Sequence, residues 1–334
     1  MIEMSFLDYA TIVSYKVDQF IYSIISGEPA ELYEASLHYI KAGGKRLRPL
    51  ITILASRIVG GNEETAIPGA AAVEVLHTFT LVHDDIIDKD ELRRGVPTVH
   101  RLWGIDMAIV AGDTLYAYAY KCLLQALSYG TSSDRVSKAI EYLTEAAITV
   151  AEGQALDMLL PSRSTVSESD YINMVKKKTA TLFAASAAIG AALAGGSDDV
   201  ISKLWNIMIM AGIAFQIRDD VLGLIGDERT LGKPVYSDLR EGKMTILVIY
   251  ALNRADEKYR NKMKFVIGNR AATHEELAEV AELIKNLGAL EHAEAIADEY
   301  AEKTIALVEL LNSVDSEALL MMKDVVRFMV RRNY

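Results

Sequence analysis

Cys122 is the only cysteine in the 334 residues, which excludes an intrachain disulfide and a cysteine-rich zinc site. Its expected place is that of a small buried side chain. Only 6 prolines occur, no stretch is low in complexity, and no Ser/Gly-rich linker parts halves of different composition. A single domain over residues 1–334 is therefore expected. Sustained period-two alternation is almost missing, which leaves little room for sheet. An excess of positive charge is missing too: the net charge is −11, which argues against nucleic acid or an anionic membrane as the main partner. Any anionic ligand must then be met by locally placed cations. The N-terminus, Met1-Ile2-Glu3-Met4-Ser5, has no basic segment followed by an apolar run, so no secretory signal is read and a cytoplasmic protein is expected. Phe183 to Gly196 is too short to span a membrane and Leu204 to Ile217 is interrupted by Asn206 and Gln216, so no transmembrane segment is expected.

What is present in quantity is apolar surface, 51% of residues, enough for a large core. Apolar residues recur at three- and four-residue spacing, which predicts an all-α protein. The helices are expected over residues 4–26, 30–41, 49–59, 63–89, 106–128, 134–158, 168–176, 179–194, 198–225, 242–266, 273–286, 289–312 and 315–332. Gly43-Gly44 can stop a helix, Pro49 can begin one, and Thr131-Ser132-Ser133-Asp134 supplies turn and capping groups. Asp227 to Gly242, with Gly232, Pro234 and Gly242, lacks amphipathic order and reads as a long loop of the kind that forms lids.

An acidic motif occurs twice, 135 residues apart: Asp84-Asp85-Ile86-Ile87-Asp88 and Asp219-Asp220-Val221-Leu222-Gly223. On a helix Asp84 and Asp88 share a face, with Asp85 beside them. Hard oxygen ligands of this kind suit Mg2+, which binds through one or two carboxylates and completes its shell with water and substrate phosphate. A solvated helix face is the plain alternative for any one such cluster. The apolar run Ala72 to Val82 leads directly into Asp84, however, and carboxylates continuing a core helix are costly unless ligated or solvated in a cleft. His77 lies two turns before Asp84 on nearly the same stripe and on its own reads as a core histidine. Arg93 and Arg94 follow the first cluster, and their planar forks suit diphosphate oxygens. Gly43-Gly44-Lys45-Arg46-Leu47-Arg48-Pro49 is a cation-loaded turn before a helix N-terminus, an anion cradle by charge and dipole. Lys176-Lys177-Lys178-Thr179, Gln216, Lys233 and Lys243 fall where the first cluster needs counterparts. The likeness of the two acidic motifs points to two comparable halves facing one cavity.

Together these residues resemble the trans-type polyprenyl diphosphate synthases, most closely a short-chain geranylgeranyl diphosphate synthase. The resemblance spans nearly the whole chain. It rests on Asp84 to Asp88 with Arg93-Arg94-Gly95, Phe215-Gln216-Ile217-Arg218-Asp219-Asp220, Gly44 to Pro49, Gly153-Gln154-Ala155-Leu156-Asp157, Lys178-Thr179 and Gly232-Lys233-Pro234, in that family's order along the chain. It implies a single helical domain around a central cavity, the isoprenoid synthase fold, and a homodimer. It implies that Asp84, Asp88 and Asp219 hold Mg2+ on an allylic diphosphate, with Asp85 and Asp220 supporting them. Arg93, Lys178 and Lys233 would bind the same diphosphate, with Lys243 beside that lid, and Lys45, Arg48, His77 and Arg94 the diphosphate of isopentenyl diphosphate. Thr179 and Gln216 would set dipoles near the carbocation, and the released diphosphate would take the proton. Gly223 departs from the pattern, since many members carry a third aspartate there. Phe79, five residues before Asp84, stands where the family places an aromatic floor, and Thr80 is small, which predicts geranylgeranyl diphosphate as product and farnesyl diphosphate next. A terpene cyclase would not need the second cationic site. A noncatalytic prenyl-diphosphate-binding partner subunit would be expected to lose the metal-site carboxylates.

Overall fold

The computed structural model describes residues 5–226 and 235–331. It is 80% helical, as the three- and four-residue periodicity requires. Among the described residues the only strands are two of two residues each, paired in one hairpin. The chain divides into two compact units. One comprises Met1–Ile148, Leu182–Met208 and Leu307–Val326; the other comprises Thr149–Thr181, Ile209–Ala306 and Arg327–Tyr334. Neither is one continuous stretch of sequence.

The first unit begins with α1 (Phe6–Ile24), α2 (Ala30–Lys41), α3 (Leu47–Ile58) and α4 (Glu63–Asp88). Ser5 caps α1 through Asp8 N at 3.2 Å, and Asn62 caps α4 through Thr65 N at 2.9 Å. α4 packs along α3 and along α6 (Ile105–Leu124), and α1 lies against it as well. The expected start at Pro49 is two residues late, because a proline in the first helical turn gives up a donor that has no partner there anyway. Between α4 and α5 (Val99–Trp103) lies a hairpin, β1 (Leu92–Arg93) with β2 (Val96–Pro97), that periodicity over so few residues cannot reveal. α6 tightens into a 3-10 turn at Gln125–Tyr129 before α7 (Ser133–Leu159). Burial pushes the Cys122 thiol up to about 12, as fits a packed side chain.

α9 (Thr181–Leu193) is apolar on every side, and nearly all of it is buried. Its small residues let backbones touch: a Cβ on Gly190 would stand 2.0 Å from the Thr52 carbonyl oxygen of α3. α10 (Asp198–Ile225) follows. α4 and α10 are long and apolar enough to cross a membrane, but 67% and 56% of their apolar windows are buried inside the protein, which marks them as core helices.

In the second unit, the end of α7 is joined by α8 (Glu168–Val175), a π-helical turn (Lys176–Ala180) and the second half of α10. These are followed by α11 (Ser237–Glu241), α12 (Ile246–Arg254), α13 (Glu257–Val266), α14 (His274–Asn286) and most of α15 (Ala289–Glu309). The core of this unit is built from Tyr171, Ile217, Val221, Leu239, Leu247 and Val280 among others. α16 (Ser316–Val330), the last described helix, belongs largely to the first unit. The single helix expected over 242–266 is two helices. Asp256 breaks it by accepting Tyr259 N at 2.8 Å, a local side-chain bond that competes with helix continuation. The loop expected over Asp227 to Gly242 contains α11, and its residues 227–234 lie outside the described residues.

Gly190→Ala should destabilise the protein by about 1–3 kcal/mol, because the atom the new methyl meets is backbone and cannot rotate away. Urea melts check this, and an unchanged midpoint would mean that α9 can shift off α3 without cost.

Candidate active site

In the first unit the end of α4 carries Asp84, Asp85 and Asp88. Asp84 and Asp88 are half-buried one turn apart, whereas Asp85 is wholly buried. Tyr39 donates its hydroxyl to Asp85 Oδ2, and Arg93 donates Nε at 2.8 Å and Nη2 to Oδ1. Both oxygens of Asp85 therefore have partners, and its carboxylate aims Arg93. The hairpin makes this geometry. Arg94 and Gly95 turn at positive φ (53° and 77°), the pattern of a tight two-residue turn, and so return Arg93 toward the helix it follows. Arg94 donates Nη1 to Tyr39 O at 3.1 Å and to Gly43 O, which satisfies carbonyls at the C-terminal end of α2.

The cation-loaded turn divides by role. Arg46, left-handed at φ 45°, is 3% exposed and binds Asp18 at 3.0 Å, Glu74 at 2.8 Å and Ile40 O at 2.7 Å. It is a structural ion pair, and breaking one of this kind costs about 3–5 kcal/mol. Lys45 is exposed, and the Arg48 guanidinium lies 4.1 Å from the Phe183 ring centroid. Half-buried His77 sits among them. Burial first, and then the charges of Arg48, Arg94, Arg93 and Arg46, hold its pKa well below the ordinary histidine value. Four guanidinium charges within electrostatic reach of an imidazole held neutral leave local positive charge that suits an anion. Phe79 packs edge-on against His83 and Tyr116, at centroid distances of 4.8 and 5.4 Å, and Thr80 turns its hydroxyl back to His77 O at 2.7 Å.

In the second unit a hydrogen-bond chain links the expected residues. Thr179 Oγ1 donates to Gln216 Oε1 at 2.9 Å, Gln216 Nε2 donates to Asp220 Oδ1 at 2.8 Å, and Tyr171 donates to Asp220 Oδ2 at 2.6 Å. Burial pushes the Asp220 carboxyl up to about 7, with the Asp238 charge adding to it. Lys178 is held by Asp157 at 2.6 Å, and Lys243 by Glu241 at 2.7 Å. The turn carrying Lys178 and Thr179 is π-helical, a wide turn often found at functional sites, and Thr181 Oγ1 bonds Lys176 O at 2.9 Å across it. Gly153 permits the approach, since a Cβ there would lie 2.2 Å from Lys178 N. Asp219 is half-buried beside Asp220, and Lys233 lies outside the described residues.

Sequence reasoning missed Tyr39, Asp157 and Tyr171 as holders of site residues. Asp157 stood inside a quoted motif, but the tyrosines gave no signal, since each lies more than 40 residues from its aspartate. Among the described residues no three His, Cys, Asp or Glu side chains converge as a finished metal centre. The donors fit Mg2+ nonetheless. They are hard carboxylate oxygens in pairs, as suits an ion whose shell is completed by water and phosphate, and the raised Asp220 carboxyl is acidic charge that a cation would relieve.

The profile of the family described as "Polyprenyl synthetase" matches residues 29–284. The chain is 46% identical over 318 residues to the geranylfarnesyl diphosphate synthase of Aeropyrum pernix, covering 95% of this chain and 99% of that one. It is 45% identical over 333 residues to the geranylgeranyl diphosphate synthase of Sulfolobus acidocaldarius, covering 98% and 99%. The crystal structure of geranylgeranyl pyrophosphate synthetase from Pyrococcus horikoshii superposes with a TM-score of 0.88 at 37% identity, covering 97% of this chain and 98% of that one.

The depressed pKa of His77 has a signed consequence. The unfolded chain takes up a proton there near pH 6.5 and the folded protein only at lower pH, so stability falls as pH drops below about 6.5. His77→Gln should lose less melting temperature than the parent between about pH 7.5 and 5.5. Equal losses in thermal melts would acquit His77.

Proposed function

The chain belongs to the polyprenyl synthetase family, and from that premise we propose that it condenses isopentenyl diphosphate with allylic diphosphates to make geranylgeranyl diphosphate. It is a trans-type prenyltransferase. One observation carries the two-substrate reading: α4 bears both the Asp84–Asp88 pair and, two turns earlier, an imidazole kept neutral within reach of four arginines. One helix thus serves a metal-bound diphosphate and a second, cation-bound one. A terpene cyclase has no use for the second.

Breaking the allylic C–O bond places negative charge on the leaving diphosphate and positive charge on carbon. Asp84 and Asp88, with Asp85 behind them, and Asp219, with Asp220 behind it, would hold Mg2+, which would neutralise charge on that diphosphate. Arg93 and Lys178, aimed by Asp85 and Asp157, bind it from the protein side together with Lys233 and Lys243. Lys45, Arg48, His77 and Arg94 bind the isopentenyl diphosphate. Thr179 and Gln216 present oxygen dipoles to the developing cation, an arrangement supported by their shared hydrogen bond. The released diphosphate takes the proton lost at the end. Phe79, backed by Tyr116, ends the hydrocarbon tunnel. The chain acts in this reading as one synthase domain in the cytoplasm. We also propose a homodimer, because Leu102, Ile105, Ile109, Val110, Leu124 and Leu127 form an exposed apolar set along α5, α6 and the turn after it. Sedimentation at twice 36.8 kDa is expected, and a monomer would leave that set for another partner.

A magnesium-dependent assay with isopentenyl diphosphate and each allylic starter, followed by sizing of the dephosphorylated products, tests the reaction. A twenty-carbon product is expected, with Asp84→Ala reducing activity by about a hundredfold or more. Absence of any condensation would favour a noncatalytic partner subunit. Phe79→Ser should lengthen the product, and an unchanged length would place the floor elsewhere.

A further inference from the structure

The two acidic motifs of this chain differ at one corresponding position. Asp84, Asp85 and Asp88 answer to Asp219, Asp220 and Gly223. Glycine inside a helix is unfavourable, and Gly223 does not adopt positive φ, so its backbone does not explain it. Its surroundings do. A Cβ at residue 223 would stand 2.7 Å from Asp238 Oδ2, the nearest atom to it. A carboxylate there would meet another carboxylate in the same place.

Asp238 is held in this position from several sides. Lys243 N donates to Asp238 O at 2.9 Å, Gly268 N donates to Leu239 O at 2.9 Å, and Arg240 Nη1 donates to Ala272 O at 2.8 Å. Leu239 is buried in the core of the same unit, and Lys243 Nζ lies 4.0 Å from Asp238 Oδ1. Asp238 also lines one small cavity with Asp220, Gly223 and Thr245. We propose that Asp238 is the third carboxylate of the second acidic cluster. It fills the space left by the absent side chain at residue 223, and it positions water ligands of the cation bound at Asp219. The motif is thus completed from α11, an element 15 residues further along the chain.

This inference rests on the prenyltransferase reading, and the test separates the two. Mn2+ binding is followed by electron paramagnetic resonance in the presence of inorganic pyrophosphate, with thermal melts alongside. The full chain is compared with Asp219→Asn, Asp238→Asn, Asp238→Gly and the exchange Gly223→Asp/Asp238→Gly. Asp238→Asn should weaken Mn2+ binding by about tenfold or more without losing the fold. The exchange should recover most of what Asp238→Gly loses, because it returns one carboxylate to the same space. Parent-like Mn2+ affinity in Asp238→Asn, with binding lost in Asp219→Asn, overturns the proposal and leaves the enzyme reading standing. A folded exchange variant no better than Asp238→Gly also overturns it. Failure of the parent chain to bind Mn2+ with pyrophosphate overturns both.

Discussion

Four guanidinium groups, those of Arg46, Arg48, Arg93 and Arg94, stand within electrostatic reach of one imidazole. Their mutual repulsion is the constraint on which the first half of the site depends. Like charges in a partly buried site repel one another, so such a group does not assemble without internal compensation. The protein supplies it. Arg46 is neutralised by Asp18 and Glu74, Arg93 by Asp85 and Asp90, Arg94 leans on the carbonyl end of α2, and Arg48 lies over Phe183. The histidine stays neutral, which removes a fifth charge from the cluster.

The second unit meets a different problem, that of placing a lysine and a threonine beside the acidic end of a core helix. A regular α-turn would follow the helix period, but the π turn at Lys176–Ala180 widens it, and Gly153 allows a neighbouring backbone into near contact. The two units share a device even so. In each Asp-Asp pair the second carboxylate is buried and receives a tyrosine hydroxyl, Tyr39 for Asp85 and Tyr171 for Asp220. A buried carboxylate must be hydrogen-bonded, and once bonded it is fixed in direction. The first member of each pair, Asp84 or Asp219, stays half-buried.

Most of the helical architecture was legible because burial of one helix face imposes its period on the residues that form it. What escaped was local or coincidental. The break at Asp256 needs one side-chain bond, and the hairpin at Leu92–Pro97 is too short to show a period. Of the candidate site residues, Asp84, Asp88 and Gln216 fall on the helices expected of them, whereas Arg93 falls on a strand and Lys178 on a π turn that periodicity did not show. Among the cations of the turn at Gly43–Pro49, charge and spacing alone did not distinguish structural Arg46 from Lys45 and Arg48; only the family resemblance left Arg46 out of the diphosphate set. That distinction depends on Asp18 and Glu74, each 28 residues away.

The sequence by itself determined the all-α class, the two acidic clusters and the cations grouped near them along the chain, because these follow from composition and spacing along a helix. Only the tertiary structure decided how the carboxylates divide. Asp85, Asp157 and Asp220 are engaged as holders, and Asp238 is brought against Gly223 from another helix. The reason is that a hydrogen bond or a close approach is set by distance in space, and no pattern along the chain encodes which distant side chain will arrive there.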